Sequence, residues 1–148
     1  MDISSAMIRH HLDYITVGWF DHNDLPPDNV EDYYKCVEQM RLNALAHNDL
    51  PYLKIAFEYM LGNPQIKCES FGNGRYPYEE EEIREIIYYA WKTIWLDSPP
   101  IHPNHHSDVN LVEIPTSEWW KNKTEHLTKT FDDAVSLLKN NLSRSLLG

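Results

Sequence analysis

The side chains that could do chemistry crowd into one stretch: His102, His105, His106 and Asp108 fall within seven residues. Imidazole and carboxylate are ligands of zinc and its neighbours, and a loop can wrap an ion. Against that, the run has neither helical spacing nor thiols, and Pro103 stiffens it. Metal ligands are usually fixed on rigid elements, so the expectation is solvated loop histidines, with no metal and no other cofactor. His10, His11 and Asp13 are no better arranged, because adjacent residues on a helix point about 100° apart. Cys36 and Cys68 form neither a disulfide framework nor a C-x-x-C pair, and two reduced, partly buried thiols are expected. A nucleophile needs a base in reach, and no motif surrounds Cys36. Gly72-Asn73-Gly74-Arg75 lacks the lysine and the strand-to-helix setting of a phosphate loop and reads as a turn. No active site is recognisable, and the chain is expected to bind rather than catalyse.

The acidic residues carry more information, because they are unevenly spread. The 148-residue chain has 23 Asp and Glu against 13 Lys and Arg, a net charge of −10. That sign opposes nucleic acid and anionic membrane as partners and suits a basic protein. Residues 1–32 hold seven acidic residues against Arg9 alone, and residues 69–97 hold seven against three basic ones. The excess therefore sits in two segments. Asp21, Asp24, Asp28, Glu31 and Asp32 form the first; Glu79, Glu80, Glu81, Glu82 and Glu85, with Tyr76 and Tyr78 beside them, form the second. Brought together, they would make a negative field that steers a basic partner and complements its lysines and arginines. Trp19, Phe20, Tyr76 and Tyr78 are of the types that anchor interfaces, and each is equally a core candidate. A solvated helix start explains residues 79–82 just as well.

The elements that must carry these residues are mostly helical. Hydrophobic residues at 42% and charged residues at 24% are the values of an ordinary globular chain, and 148 residues suit one domain with a core of its own. A first helix is expected over 3–16, capped by Asp2 or Ser4, with Ile8, Leu12 and Ile15 on its core stripe. A second is expected over 28–47, with Val30, Tyr33, Tyr34, Val37, Arg41, Ala44 and Leu45 on one face. Asp49 then reads as the N-cap of a third helix, Pro51 as a first-turn residue, and Gly62 and Pro64 as its stop. That third helix turns Leu53, Ala56, Phe57, Met60 and Leu61 inward. A fourth helix over 78–97 places Ile83, Ile86, Ile87, Ala90 and Ile94 on one face, with Tyr88, Trp91 and Trp95 along a flank. Its first-turn glutamates oppose the positive end of the helix dipole. Residues 109–114 hold a short extended signal. A last helix starts near Thr116 or Ser117 with Trp120, Leu127, Phe131, Ala134, Leu138 and Leu142 in one stripe, and its length implies a bend near 122–130. The fold class is all-α, a single domain and a compact bundle of about five main helices. Residues 1–12 carry Asp2, Arg9, His10 and His11 rather than an apolar signal core, and no apolar run reaches membrane-spanning length, so a cytoplasmic location is expected.

A small, acidic, aromatic-rich, cysteine-poor domain of this kind resembles the immunity proteins of bacterial contact-dependent growth inhibition and other polymorphic toxin systems. The resemblance covers the chain in size and character and rests on the acidic segments and their neighbouring aromatics. It implies a protein that binds a cognate toxin, commonly a basic nuclease, and covers its active site or substrate groove. Three other readings stay open: an acidic nucleic-acid mimic or helical adaptor, a metal-dependent enzyme built on residues 102–108, and a helical structural subunit.

Overall fold

Ser4 does two jobs at the head of the structure. Its hydroxyl accepts a hydrogen bond from Met7 N–H at 3.0 Å, capping helix α1 (Ser5–Thr16), and donates to the Ile114 carbonyl at 2.6 Å. The second bond reaches just past a small parallel sheet, in which β1 (Asp2–Ser4) pairs with β2 (Asn110–Val112) and Ile3 lies opposite Leu111. The expected extended piece at 109–114 is therefore a strand, and its partner is the residues just before α1. This computed structural model describes residues 1–123 and 135–140.

Three further helices follow: α2 (Tyr34–Ala46), α3 (Leu50–Gly62) and α4 (Glu80–Ile94). Helix α1 packs on α2, and α3 on α4. Met7, Ile8, Leu12 and Ile15 from α1, Leu53, Ala56, Phe57 and Met60 from α3, and Ile83, Ile86, Ile87 and Ala90 from α4 are fully or nearly fully buried and form the core. Each Leu, Ile, Met or Phe among them contributes about 1.5–3 kcal/mol on leaving water. The fold is mostly α.

The second helix departs from expectation in register. It is preceded by a 3-10 turn (Val30–Tyr33), and its buried stripe is Tyr33, Val37, Met40 and Ala44. Tyr34 and Leu45, expected to be buried, are 57% and 53% exposed. The apolar arc is wide, and the core takes only the part of it that faces α1 and α3. Asp49 precedes α3 as expected, with Pro51 in the first turn, but its side chain makes no capping bond. Residues 79–82 begin α4 through a capping box between Glu79 and Glu82.

The chain divides into two units, Met1–Ile114 and Pro115–Gly148, and all the elements above belong to the first. In the second, residues 116–123 are helical, starting where the sequence suggests, and so are residues 135–140. Leu138 is exposed there; Leu127, Phe131, Ala134, Leu142 and most of the expected bend lie outside the described residues. No helix among the described residues is long and apolar enough to cross a membrane.

Both cysteines are free thiols, as expected. Cys68 is fully buried, and burial pushes its thiol up to about 12. Cys36 is half-buried, and burial together with nearby Asp21 raises its thiol as well. At pH 8 a thiol reagent should modify Cys36 slowly and Cys68 only after denaturant is added. Two thiols titrating together in the native protein would show that residues 66–71 open without global unfolding.

Candidate functional site

The end of α3 is where dispersed polar residues meet. Gly62 has His102 packed directly on it: a Cβ there would lie 2.7 Å from the His102 carbonyl oxygen. The Asn104 N–H donates to the Gly62 carbonyl at 2.9 Å, and the Asn63 amide donates to the carbonyls of Tyr59 at 2.8 Å and His105 at 3.1 Å. Asn104 and His106 adopt left-handed backbone, φ 61° and 56°, a region asparagine and histidine enter more readily than most residues. These ties fold residues 101–106 back over the helix end and stack the His105 and His106 rings, centroids 4.2 Å apart.

Beneath them lies Glu58 of α3. Its Oε1 is 2.8 Å from His106 Nε2, while Oε2 accepts from Lys54 Nζ at 2.7 Å and Trp91 Nε1 at 3.0 Å. Burial alone would raise this carboxyl, but hydrogen bonds from Lys54, His106 and Trp91 outweigh it and hold the group below the ordinary value. His105 Nδ1 is buried and has no hydrogen-bond partner among the described residues. One donor atom each from Glu58, His105 and His106 lies within 4.8 Å of the others. Two imidazoles and a carboxylate can ligate a transition metal or move a proton.

The expected solvated run of histidines is thus divided. His105 and His106 are half-buried against α3, while His102 and Asp108 stay exposed and outside the cluster. Periodicity gives no hint of Glu58: at 100° per residue it lies roughly 140° round α3 from Leu53, where a glutamate reads as solvent-facing. Next to the cluster, Glu81, Glu85, Tyr88, Trp91 and His102 line a groove of about 730 Å³. Arg84 crosses its edge as a clamp, donating to the carbonyls of Met60, Pro64 and Ile66.

The two acidic segments fare differently. Asp21, Asp24, Asp28, Glu31 and Asp32 are all exposed, and none makes an ion pair among the described residues. Their loop is nonetheless shaped: Trp19 Nε1 donates to the Leu25 carbonyl at 2.8 Å, Asn23 donates to the Trp19 carbonyl at 2.9 Å, and Trp19 packs edge-on against Tyr33. Asp24, Asp28 and Asp32 line one depression with Trp19 and Leu25, and Leu25 is 76% exposed. In the second segment most of the carboxylates are already engaged. Glu80 accepts from the Cys68 and Glu69 N–H groups and from Arg84, and Glu79 and Glu82 close the capping box. Glu82 also accepts from the Tyr76 hydroxyl at 3.1 Å. Tyr78 is buried, its hydroxyl donating to the Thr16 carbonyl, so it belongs to the core rather than to a surface. Glu81 and Glu85 remain exposed. The segments do adjoin: Phe20 stacks on Tyr76 at 5.7 Å, and Arg75 donates to the Phe20 carbonyl at 2.9 Å.

A second buried pair lies deeper. His11 Nε2 and Asp49 Oδ2 are 2.7 Å apart with both side chains fully buried, and the rings of His10 and His47 pack against His11. His11 falls on the stripe of Ile8, Leu12 and Ile15, which is the one sequence signal for its burial. Among known proteins, no family model matches this chain, and no curated protein or solved structure is detectably similar to it.

Proposed function

We propose that this is a non-catalytic binding protein of the immunity-protein type, acting in the cytoplasm, and that its 21–32 loop receives a basic protein. A toxin nuclease domain is the partner that fits best, because carboxylates can take the place of phosphates against its lysines and arginines. One observation carries the reading: the 21–32 segment exposes five carboxylates, three of which share a depression with the exposed Leu25, on a loop held by its own hydrogen bonds. A held loop loses little entropy on binding, and unpaired carboxylates steer a basic partner over a distance set by ionic strength. Leu25 and Trp19 among the charges favour a specific protein face over a nucleic-acid mimic, whose carboxylates need no apolar anchor. Tyr76, stacked on Phe20 and bonded to Glu82, adjoins the loop from the α4 side.

The test compares wild type with the triple change Asp24→Asn, Asp28→Asn and Asp32→Asn. Immobilised wild-type protein should retain a basic protein from the native strain at low salt and release it at high salt. The triple variant should associate at least about tenfold more slowly with that protein, with a flatter salt dependence. Unchanged binding by the triple variant would move the interface away from this loop.

A further inference from the structure

We propose that Glu58, His105 and His106 bind a divalent transition-metal ion of the zinc class, fastening residues 101–106 to α3. The donor set is the borderline nitrogen-and-oxygen set that such ions prefer, two imidazoles and one carboxylate. Ligand atoms around a tetrahedral ion at ~2.0–2.1 Å lie roughly 3.3 Å apart. The three donor atoms are already within 4.8 Å of one another, with Glu58 Oε1 and His106 Nε2 at 2.8 Å. Closure onto an ion thus needs side-chain movements on the order of 1 Å and no backbone change.

The surroundings are those of a held site rather than a chance meeting of surface groups. Lys54 and Trp91 both bond Glu58 Oε2, which orients the carboxylate and leaves Oε1 as the single ligand oxygen. Gly62, Asn63 and Asn104 fix the loop from below, and His106 keeps a left-handed backbone to bring its ring over Glu58. A Glu58–His106 ion pair alone explains one ring. It leaves His105 Nδ1 buried without a hydrogen-bond partner among the described residues, and an ion bound at that nitrogen would supply one. The ion would displace the hydrogen between Nε2 and Oε1 and sit off the line joining them, the two atoms moving apart by about 0.5 Å. With three protein ligands the fourth position falls to water, reached past the His106 ring, which is 25% exposed.

The test uses untagged, full-length protein freed of metal with a chelator, then titrated with zinc and, separately, with cobalt. One zinc per chain is expected, with a rise of the thermal midpoint on the order of 5 °C at saturation. Cobalt should give the visible absorption of a four-coordinate site. His105→Ala removes a ring whose Nδ1 makes no hydrogen bond, so its circular dichroism should match wild type while zinc affinity falls at least about tenfold. His102→Ala, outside the cluster, should bind as wild type does. Absence of stoichiometric zinc from wild type would overturn the proposal, and so would equal loss in His102→Ala and His105→Ala.

Discussion

Replacing Asp49 by alanine is expected to cost about 3–5 kcal/mol of stability, the range for removing one partner of a buried pair. Domains of this size are stable by only about 5–15 kcal/mol, so the effect is a large share of the total. The cause is the imidazole left behind. His11 and Asp49 are both fully buried and 2.7 Å apart, and His11 Nδ1 already has no hydrogen-bond partner among the described residues. Without the carboxylate, Nε2 also loses its partner among Ile8, Leu12 and Ile15, where no solvent reaches it. The pair also spans two elements, since His11 is on α1 and Asp49 stands at the entry to α3. Asp49→Asn keeps the shape and one neutral hydrogen bond, and should cost about 1–2 kcal/mol. Adding His11→Leu to Asp49→Ala should recover part of the loss, because an apolar side chain asks nothing of the empty position. Urea titration reads all three as shifts of midpoint at constant slope. A midpoint for Asp49→Ala within experimental error of wild type would mean that the pair is not formed in solution.

This pair marks the boundary of what could be read from the sequence. Local rules located the helices: Ser4 before an apolar stripe, Gly62 and Pro64 after one, and glutamates at the head of α4. Side-chain partners across the fold obey no local rule. Asp49 in front of a helix reads as a cap, and only the approach of α1 turns it into the partner of His11. The β1–β2 pairing joins three-residue strands 108 positions apart, too short for an alternating pattern to register. Tyr34 and Leu45 are apolar enough for a core face, yet the buried strip of α2 runs beside them through Val37 and Met40. The candidate metal cluster was half legible. The histidines declared themselves, whereas Glu58 is buried by a loop that returns more than 40 residues later. The exposure of the acidic residues 21–32 was legible, because exposed charge needs no partner to be recognised, whereas the Trp19–Leu25 bond that shapes their loop follows no local rule.

Glu80 separates structural from functional acid within the α4 run, and Glu80→Ala should cost about 2–4 kcal/mol. Its carboxylate accepts from Cys68 N–H at 2.8 Å, from Glu69 N–H at 2.6 Å and from Arg84 Nε at 3.1 Å. Hydrogen bonds to a charged group are individually worth about 1.5–3 kcal/mol, and the 22% exposure of this side chain keeps the sum towards the lower end. Burial would raise the Glu80 carboxyl, but the Cys68 and Glu69 N–H groups and Arg84 prevail and hold it below the ordinary 4.5. A carboxyl lowered by folding stabilises the protein above its unfolded value, and that contribution is lost as pH falls through the folded one. Wild type should therefore lose stability below about pH 4.5, and Glu80→Gln, which cannot ionise, should lose less over the same window. Thiol labelling supplies an independent reading, since the Cys68 backbone is what Glu80 holds: Glu80→Ala should expose Cys68 to reagent without denaturant. If Glu80→Ala instead left stability, acid response and Cys68 protection intact while weakening partner binding, the carboxylate would belong to the interface. Its bonds to residues 68 and 69 would then be incidental to the fold.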